Sequence, residues 1–192
     1  MDSVLFVAFW LFVLTHIDTL VVLTAFCADT EYRTGEVVVG HYLGFSGGLL
    51  VAVIAAVVAA ELLQRWTFLL GVVPLGLGLW QLSRGKPTTE ESESPTPSTT
   101  GNRVGVVTAA GIGLSGENIA AFVPFFVDLS TVELSVVVFG YLIGAAVVFL
   151  AALVLSRSRV VSELPDWTDH LLVPLVLVFL GTYVLVTGWA VI

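Results

Sequence analysis

Six long apolar runs, at positions 4–26, 37–60, 66–82, 104–127, 132–155 and 167–192, divide this chain of 192 residues. Each is close to the roughly 20 residues that an α-helix needs to cross a hydrocarbon core about 30 Å thick. In that solvent every backbone N–H and C=O must be paired internally, so only helices and closed barrels span. Runs this long, without polar alternation, select helices. Charged residues make up only 11% of the chain, against about 25% in a soluble domain. The expected fold is an all-α integral membrane protein of six transmembrane helices, with no room for a soluble catalytic domain. The first run should persist in the mature protein, because no Lys or Arg precedes Arg33 and a secretory signal starts with a basic segment.

Two further function classes fall away on composition. A single cysteine, Cys27, excludes an intramolecular disulfide framework and a zinc cluster of several thiolates. A net charge of −8 argues against a nucleic-acid partner, which needs clustered Lys and Arg.

Between the third and fourth runs lies a Ser/Thr/Pro/Glu-rich stretch, 83–102, that cannot bury a core and reads as a flexible linker. It separates a first three-helix unit, 1–82, from a second, 103–192. Of the seven basic residues, Arg33, Arg84, Lys86, Arg103, Arg157 and Arg159 fall at odd-numbered loops and Arg65 alone at an even one. Cytoplasmic loops carry the excess of Lys and Arg. This six-to-one split places the linker in the cytoplasm and both termini outside a cell membrane. Trp66, Trp80, Trp167 and Trp189 fall at span ends, as an interfacial aromatic belt requires; Trp10 does not.

The two units match at a constant offset of one hundred: Gly40 with Gly140, Gly44 with Gly144, Pro74 with Pro174, and Val37-Val38 with Val137-Val138. Glycine and proline mark particular backbone positions, so their recurrence says more than the valines do. Three helices per unit make the second unit run opposite to the first, which is the inverted repeat of many secondary transporters. Their binding sites lie near the bilayer midplane, at the repeat interface, on broken or weakened helices. Gly40, Gly44, Gly47 and Gly48, with Gly140 and Gly144, also give small-residue faces that favour a compact bundle and permit a homodimer.

The centres of the first and fourth spans read Thr15-His16-Ile17-Asp18-Thr19 and Leu114-Ser115-Gly116-Glu117-Asn118. A carboxylate at a span centre costs roughly 2.5–3.5 kcal/mol, and no Lys or Arg lies within any span. A bound cation or a proton is the natural countercharge. Gly111, Gly113 and Gly116 should weaken the fourth span and free carbonyl oxygens, and Pro124 removes a further hydrogen bond. The bland alternative is a packing network in which His16, Asn118, Thr15, Thr19 and Ser115 hold the two acids. In a continuous helix Thr15, Asp18 and Thr19 share a face and His16 points away. His16 is therefore a ligand if the helix unwinds there and a satisfied core histidine if it does not. His41 and Tyr42 read as interfacial residues, and Asp169-His170 as an acidic start to the sixth span.

These residues also carry a resemblance. Thr15 to Thr19, Gly40-His41-Tyr42-Leu43-Gly44-Phe45, Leu70-Gly71-Val72-Val73-Pro74-Leu75, and Gly116-Glu117-Asn118 before Phe122-Val123-Pro124-Phe125-Phe126 resemble the cadmium resistance transporter family, relatives of the lysine exporters. The resemblance covers nearly the whole chain. In that family the first helix typically carries Asn-Ile-Asp-Asp and the fourth Asn-Gly-Gly-Asp-Asn. Ile17, Asp18, Gly116, Asn118 and Pro124 match, and Glu117 keeps the charge of an aspartate. His16 stands where the family has Asn, Thr19 replaces the second acid, and Leu114 and Ser115 replace Asn and Gly. The resemblance implies export of a divalent metal such as cadmium. The oxygen donors present suit harder cations, and His16 is the midplane group that favours a softer one.

The resulting expectation is a secondary transporter, with no resident cofactor, whose substrate is a divalent metal cation. Asp18 and Glu117 would bind it, with Asn118, His16, Thr15 and Thr19 completing the shell, and proton exchange would supply the energy. An exporter of an amino acid or other small organic solute is the alternative of the same architecture, disfavoured because no cationic group in a span awaits a carboxylate. A membrane enzyme lacks any recognised nucleophile or ATP motif. A structural membrane protein would be indifferent to loss of both acids.

Overall fold

The computed structural model describes residues 1–84, 102–157 and 173–189. The linker residues 85–101, and with them Lys86, lie outside these, as do Arg159, Trp167, Asp169 and His170. The described residues are helical, joined by short turns: α1 (Asp2–Thr15), α2 (Ile17–Ala28), α3 (Thr34–Leu63), a 3₁₀ segment (Gln64–Gly71), α4 (Val72–Arg84), α5 (Arg103–Val127), α6 (Thr131–Leu155) and α7 (Val173–Trp189).

Three of these helices, α3, α5 and α6, are each long and apolar enough to cross a membrane. α1 and α2 together make a fourth such segment, bent by 49° at His16. Among the described residues the other two apolar runs give shorter apolar helices. α4, at 13 residues, extends about 20 Å, because the part of the third run before it, as far as Gly71, is a 3₁₀ helix. Phe6, Phe9, Leu43, Leu50, Ile54 and Phe139 are all exposed. Such a surface would aggregate in water and is at home against lipid.

Local chemistry sets the helix starts. Ser130 and Glu133 form a reciprocal capping box at α6, and Asn102 accepts from the Gly105 N–H at α5. Small residues then set how closely the helices pack. Gly40, Gly44 and Gly48 of α3 face Val107, Gly111 and Ser115 of α5, with both rows advancing by four residues. At Gly44 and Gly111 the two backbones meet, since a Cβ on Gly44 would lie 3.0 Å from the Gly111 Cα. The rows rise together, so α3 and α5 run parallel. α1 and α6 also run parallel: Ala8 meets Tyr141 and Phe12 meets Gly144. α4 and its 3₁₀ lead-in run antiparallel to α7, with Gly71 against Leu185 and Leu75 against Gly181.

An aromatic core of Phe12, Phe45, Phe122, Phe126 and Tyr141 fills the space between these pairs, with ring centroids 4.8–6.1 Å apart. Polar side chains cross it to backbone carbonyls. The Tyr141 hydroxyl donates to Ala8, the Tyr42 hydroxyl to Leu142 (each 3.1 Å), and His41 Nε2–H to Ala145 at 3.2 Å. The expectation that His41 is interfacial is thereby corrected. It is buried, because its imidazole has a carbonyl of α6 to donate to. Tyr42→Phe removes one such bond and should lower stability by about 1 kcal/mol; thermal unfolding in detergent measures it, and an unchanged melting temperature would deny the bond any net worth.

Candidate functional site

The break in the first apolar segment is built by Thr15 and His16. Thr15 Oγ1 donates back to the Leu11 carbonyl at 2.8 Å, and His16 Nδ1 lies 2.8 Å from the Phe12 carbonyl. Side chains that bond the preceding turn bend helices and stand in for the backbone bonds the bend removes. His16 takes φ −114°, ψ 12°, between the main basins and unlike helical backbone. The chain restarts as α2 with Asp18 in its first turn, and Asp18 Oδ1 accepts from the Thr19 N–H at 2.6 Å. The free N–H groups and partial positive charge of a helix start favour a carboxylate there.

At the bend, one contact assigns the tautomer of His16. A carbonyl can only accept, so the neutral ring carries its proton on Nδ1 and leaves a lone pair on Nε2. Nε2 is buried and has no hydrogen-bond partner. Its ring is only 2% exposed, stacks on Phe12 at 3.9 Å and packs edge-on to Phe45 at 5.3 Å. A ring nitrogen held by a backbone carbonyl with the opposite nitrogen free is the arrangement found behind metal-ligating histidines.

The fourth apolar run corrects another expectation. α5 is one uninterrupted helix from Arg103 to Val127, with Pro124 inside it. Its glycines do not open the backbone. Gly111 is spent on the contact with Gly44, and Ser115 Oγ returns to the Gly111 carbonyl at 2.7 Å beside Gly48. The two carboxylates therefore stand in different settings, Asp18 at a helix start and Glu117 within a continuous helix.

Thr15, His16, Thr19, Ser115 and Asn118 are buried, and Asp18 and Glu117 are half-buried. Ser115, Asn118 and Phe122 occupy one face of α5 at spacings of three and four, and Phe122 stacks near His16 with ring centroids 6.2 Å apart. The break in the first segment thus faces the Asn118 side of α5. Between α2, α3 and α5 a cavity of about 10 Å³ is lined by Thr19, His41, Gly111 and Leu114 among others. That is at the lower limit for one water molecule. Among the described residues no three His, Cys, Asp or Glu side chains converge on one point. A cation here would have to take hydroxyl, amide or carbonyl oxygens as well.

His41 was missed by sequence reasoning, although the offset of one hundred carried a signal. It pairs His41 with Tyr141, and both are buried aromatics donating to a carbonyl of a neighbouring helix.

A family model described as cadmium resistance transporter matches residues 12–191. No curated protein and no solved structure matches the chain.

Proposed function

The chain belongs to the cadmium resistance transporter family, and from that premise we propose that it is a secondary transporter exporting a divalent, cadmium-like cation. Asp18 and Glu117 supply the charge, and Asn118, His16, Thr15 and Thr19 supply further donors. The observation that carries this reading is the 49° break at His16, directly before Asp18, within an apolar segment. Broken helices at membrane depth are where transporters place ion sites.

The pairing of helices supports six alternating crossings arranged as two inverted three-helix units, 1–82 and 103–192. Parallel α3 and α5, parallel α1 and α6, and antiparallel α4 and α7 are the directions such an order requires. The α4–α7 pair joins the third span of each unit, and α1–α6 and α3–α5 each join the first span of one unit to the second span of the other, so a pseudo-two-fold axis would interchange these two pairs. Rocking of one unit against the other gives alternating access, exchange for protons supplies the energy, and the 83–102 linker lies in the cytoplasm.

Everted membrane vesicles test this directly. Cadmium should accumulate in vesicles bearing the protein when a pH gradient is imposed, and a protonophore should abolish uptake. Uptake of lysine but not of any divalent metal in the same vesicles would sink the proposal. His16 should set the preference for a soft ion, since imidazole suits cadmium better than it suits manganese. His16→Asn should weaken cadmium binding by at least about 10-fold while leaving manganese nearly unchanged, as read by calorimetric titration of purified protein. Equal loss for both ions would make His16 structural.

A further inference from the structure

His16 and His41 are each 2% exposed, and each imidazole is tied by one nitrogen to a backbone carbonyl. The ties use opposite nitrogens. His16 Nδ1 donates to Phe12 one turn back, and His41 Nε2 donates to Ala145 across the bundle. The neutral rings therefore keep their lone pairs on His16 Nε2 and His41 Nδ1. A carbonyl behind one nitrogen and a lone pair on the other is how metal-ligating histidines are held. We propose that His41 is a second imidazole for the transported ion, so that one soft divalent cation is bound by His16 Nε2 and His41 Nδ1 together. The assignment rests on the cation export proposed above and adds a ligand to its donor set.

Packing alone does not call for an imidazole at this position. Tyr141, at the offset of one hundred from His41, makes the equivalent bond to the Ala8 carbonyl with a phenol. What His41 adds to such a bond is a basic ring nitrogen. Its neighbours are those of the proposed site. His41 stacks on Phe45 at 6.1 Å while His16 meets the same ring edge-on at 5.3 Å, and the two imidazoles are near enough for a charge on one to repel a charge on the other. His41 and Thr19 also line the small cavity between α2, α3 and α5, and the Thr19 N–H donates to Asp18. His41 is thus joined to His16 through Phe45 and to Asp18 through Thr19. Two imidazoles completed by oxygen donors suit zinc or cadmium better than manganese. Because His16 Nε2 is buried and Phe45 is the ring that both histidines share, one ion reaches both nitrogens as Phe45 turns aside.

Nuclear magnetic resonance of the full chain in detergent, with histidines labelled in heavy nitrogen and a magnetic isotope of cadmium bound, counts the imidazoles directly, since the metal splits the signal of a nitrogen it binds. The parent should show two split imidazoles, one bound through Nε2 and one through Nδ1. His16→Asn should remove the first, His41→Gln the second, and His170→Asn neither. Glutamine keeps an N–H to donate to Ala145, so His41→Gln should fold, as a comparable melting temperature verifies. It should lose at least about 10-fold in cadmium affinity with manganese affinity nearly unchanged. If it does not fold, His16→Asn and His170→Asn assign the parent's signals by elimination, because the chain has three histidines. A parent that binds cadmium without a split Nδ1, or whose split Nδ1 survives in His41→Gln or is lost in His170→Asn, overturns the inference and leaves cation export standing. A parent that binds no cadmium overturns both.

Discussion

Asp18→Asn should reduce cadmium export by at least about 10–100-fold, the range that loss of a mere supporting group already costs a metal site, and Glu117→Gln should do the same. Both substitutions keep shape and hydrogen-bonding capacity while removing charge, so the loss would belong to the cation and not to the packing. Asp18 is the more exacting test. It sits in the first turn of α2 and accepts from the Thr19 N–H, and asparagine can do the same there. Insertion should therefore be unimpaired and transport lost. Glu61→Gln, at an exposed position near the end of α3, is the matched control and should export normally. Vesicle uptake of radioactive cadmium, normalised to inserted protein, reads all three. If the Asp18 and Glu117 variants transported as well as the Glu61 variant, the proposed site would be wrong.

Gly44→Leu should destabilise the protein by on the order of 3 kcal/mol or leave it unfolded, at the upper end of overpacking costs. A side chain there meets backbone, with the Gly111 Cα and the Thr108 carbonyl oxygen each 3.0 Å from the Cβ position. Backbone cannot rotate aside, so α3 and α5 would have to separate, and their close approach anchors the bundle. Gly47→Leu sits three residues away on the same helix with nothing within 4 Å. It should be neutral or slightly stabilising, because leucine is the better helix former by roughly 1 kcal/mol. Thermal unfolding in detergent compares the pair. Equal melting temperatures would show that the α3–α5 contact can relax and does not fix the fold.

Read together, these variants mark a boundary in what the residues alone disclose. The lipid-facing character of the chain, the positions of its apolar runs and the presence of a carboxylate at the centre of two of them follow from local composition, because a hydrocarbon solvent penalises each polar group wherever it stands. The recurrence of glycines at an offset of one hundred was legible too, but not their partners, since Gly44 meets Gly111, Gly144 meets Phe12 and Gly140 meets nothing within 4 Å. The tertiary structure decided which glycines are spent on contact and which apolar helix breaks. The glycine-rich fourth run stays continuous because Gly111 packs on Gly44, and the glycine-free first run bends at His16 because Thr15 and His16 bond back to α1. Propensity describes a helix in isolation, whereas a helix in a bundle takes the backbone that its neighbours and its own side-chain bonds make least costly. His16 and His41 could be placed only after that choice was made, for burial and the direction of an imidazole nitrogen depend on carbonyls one turn or one helix away.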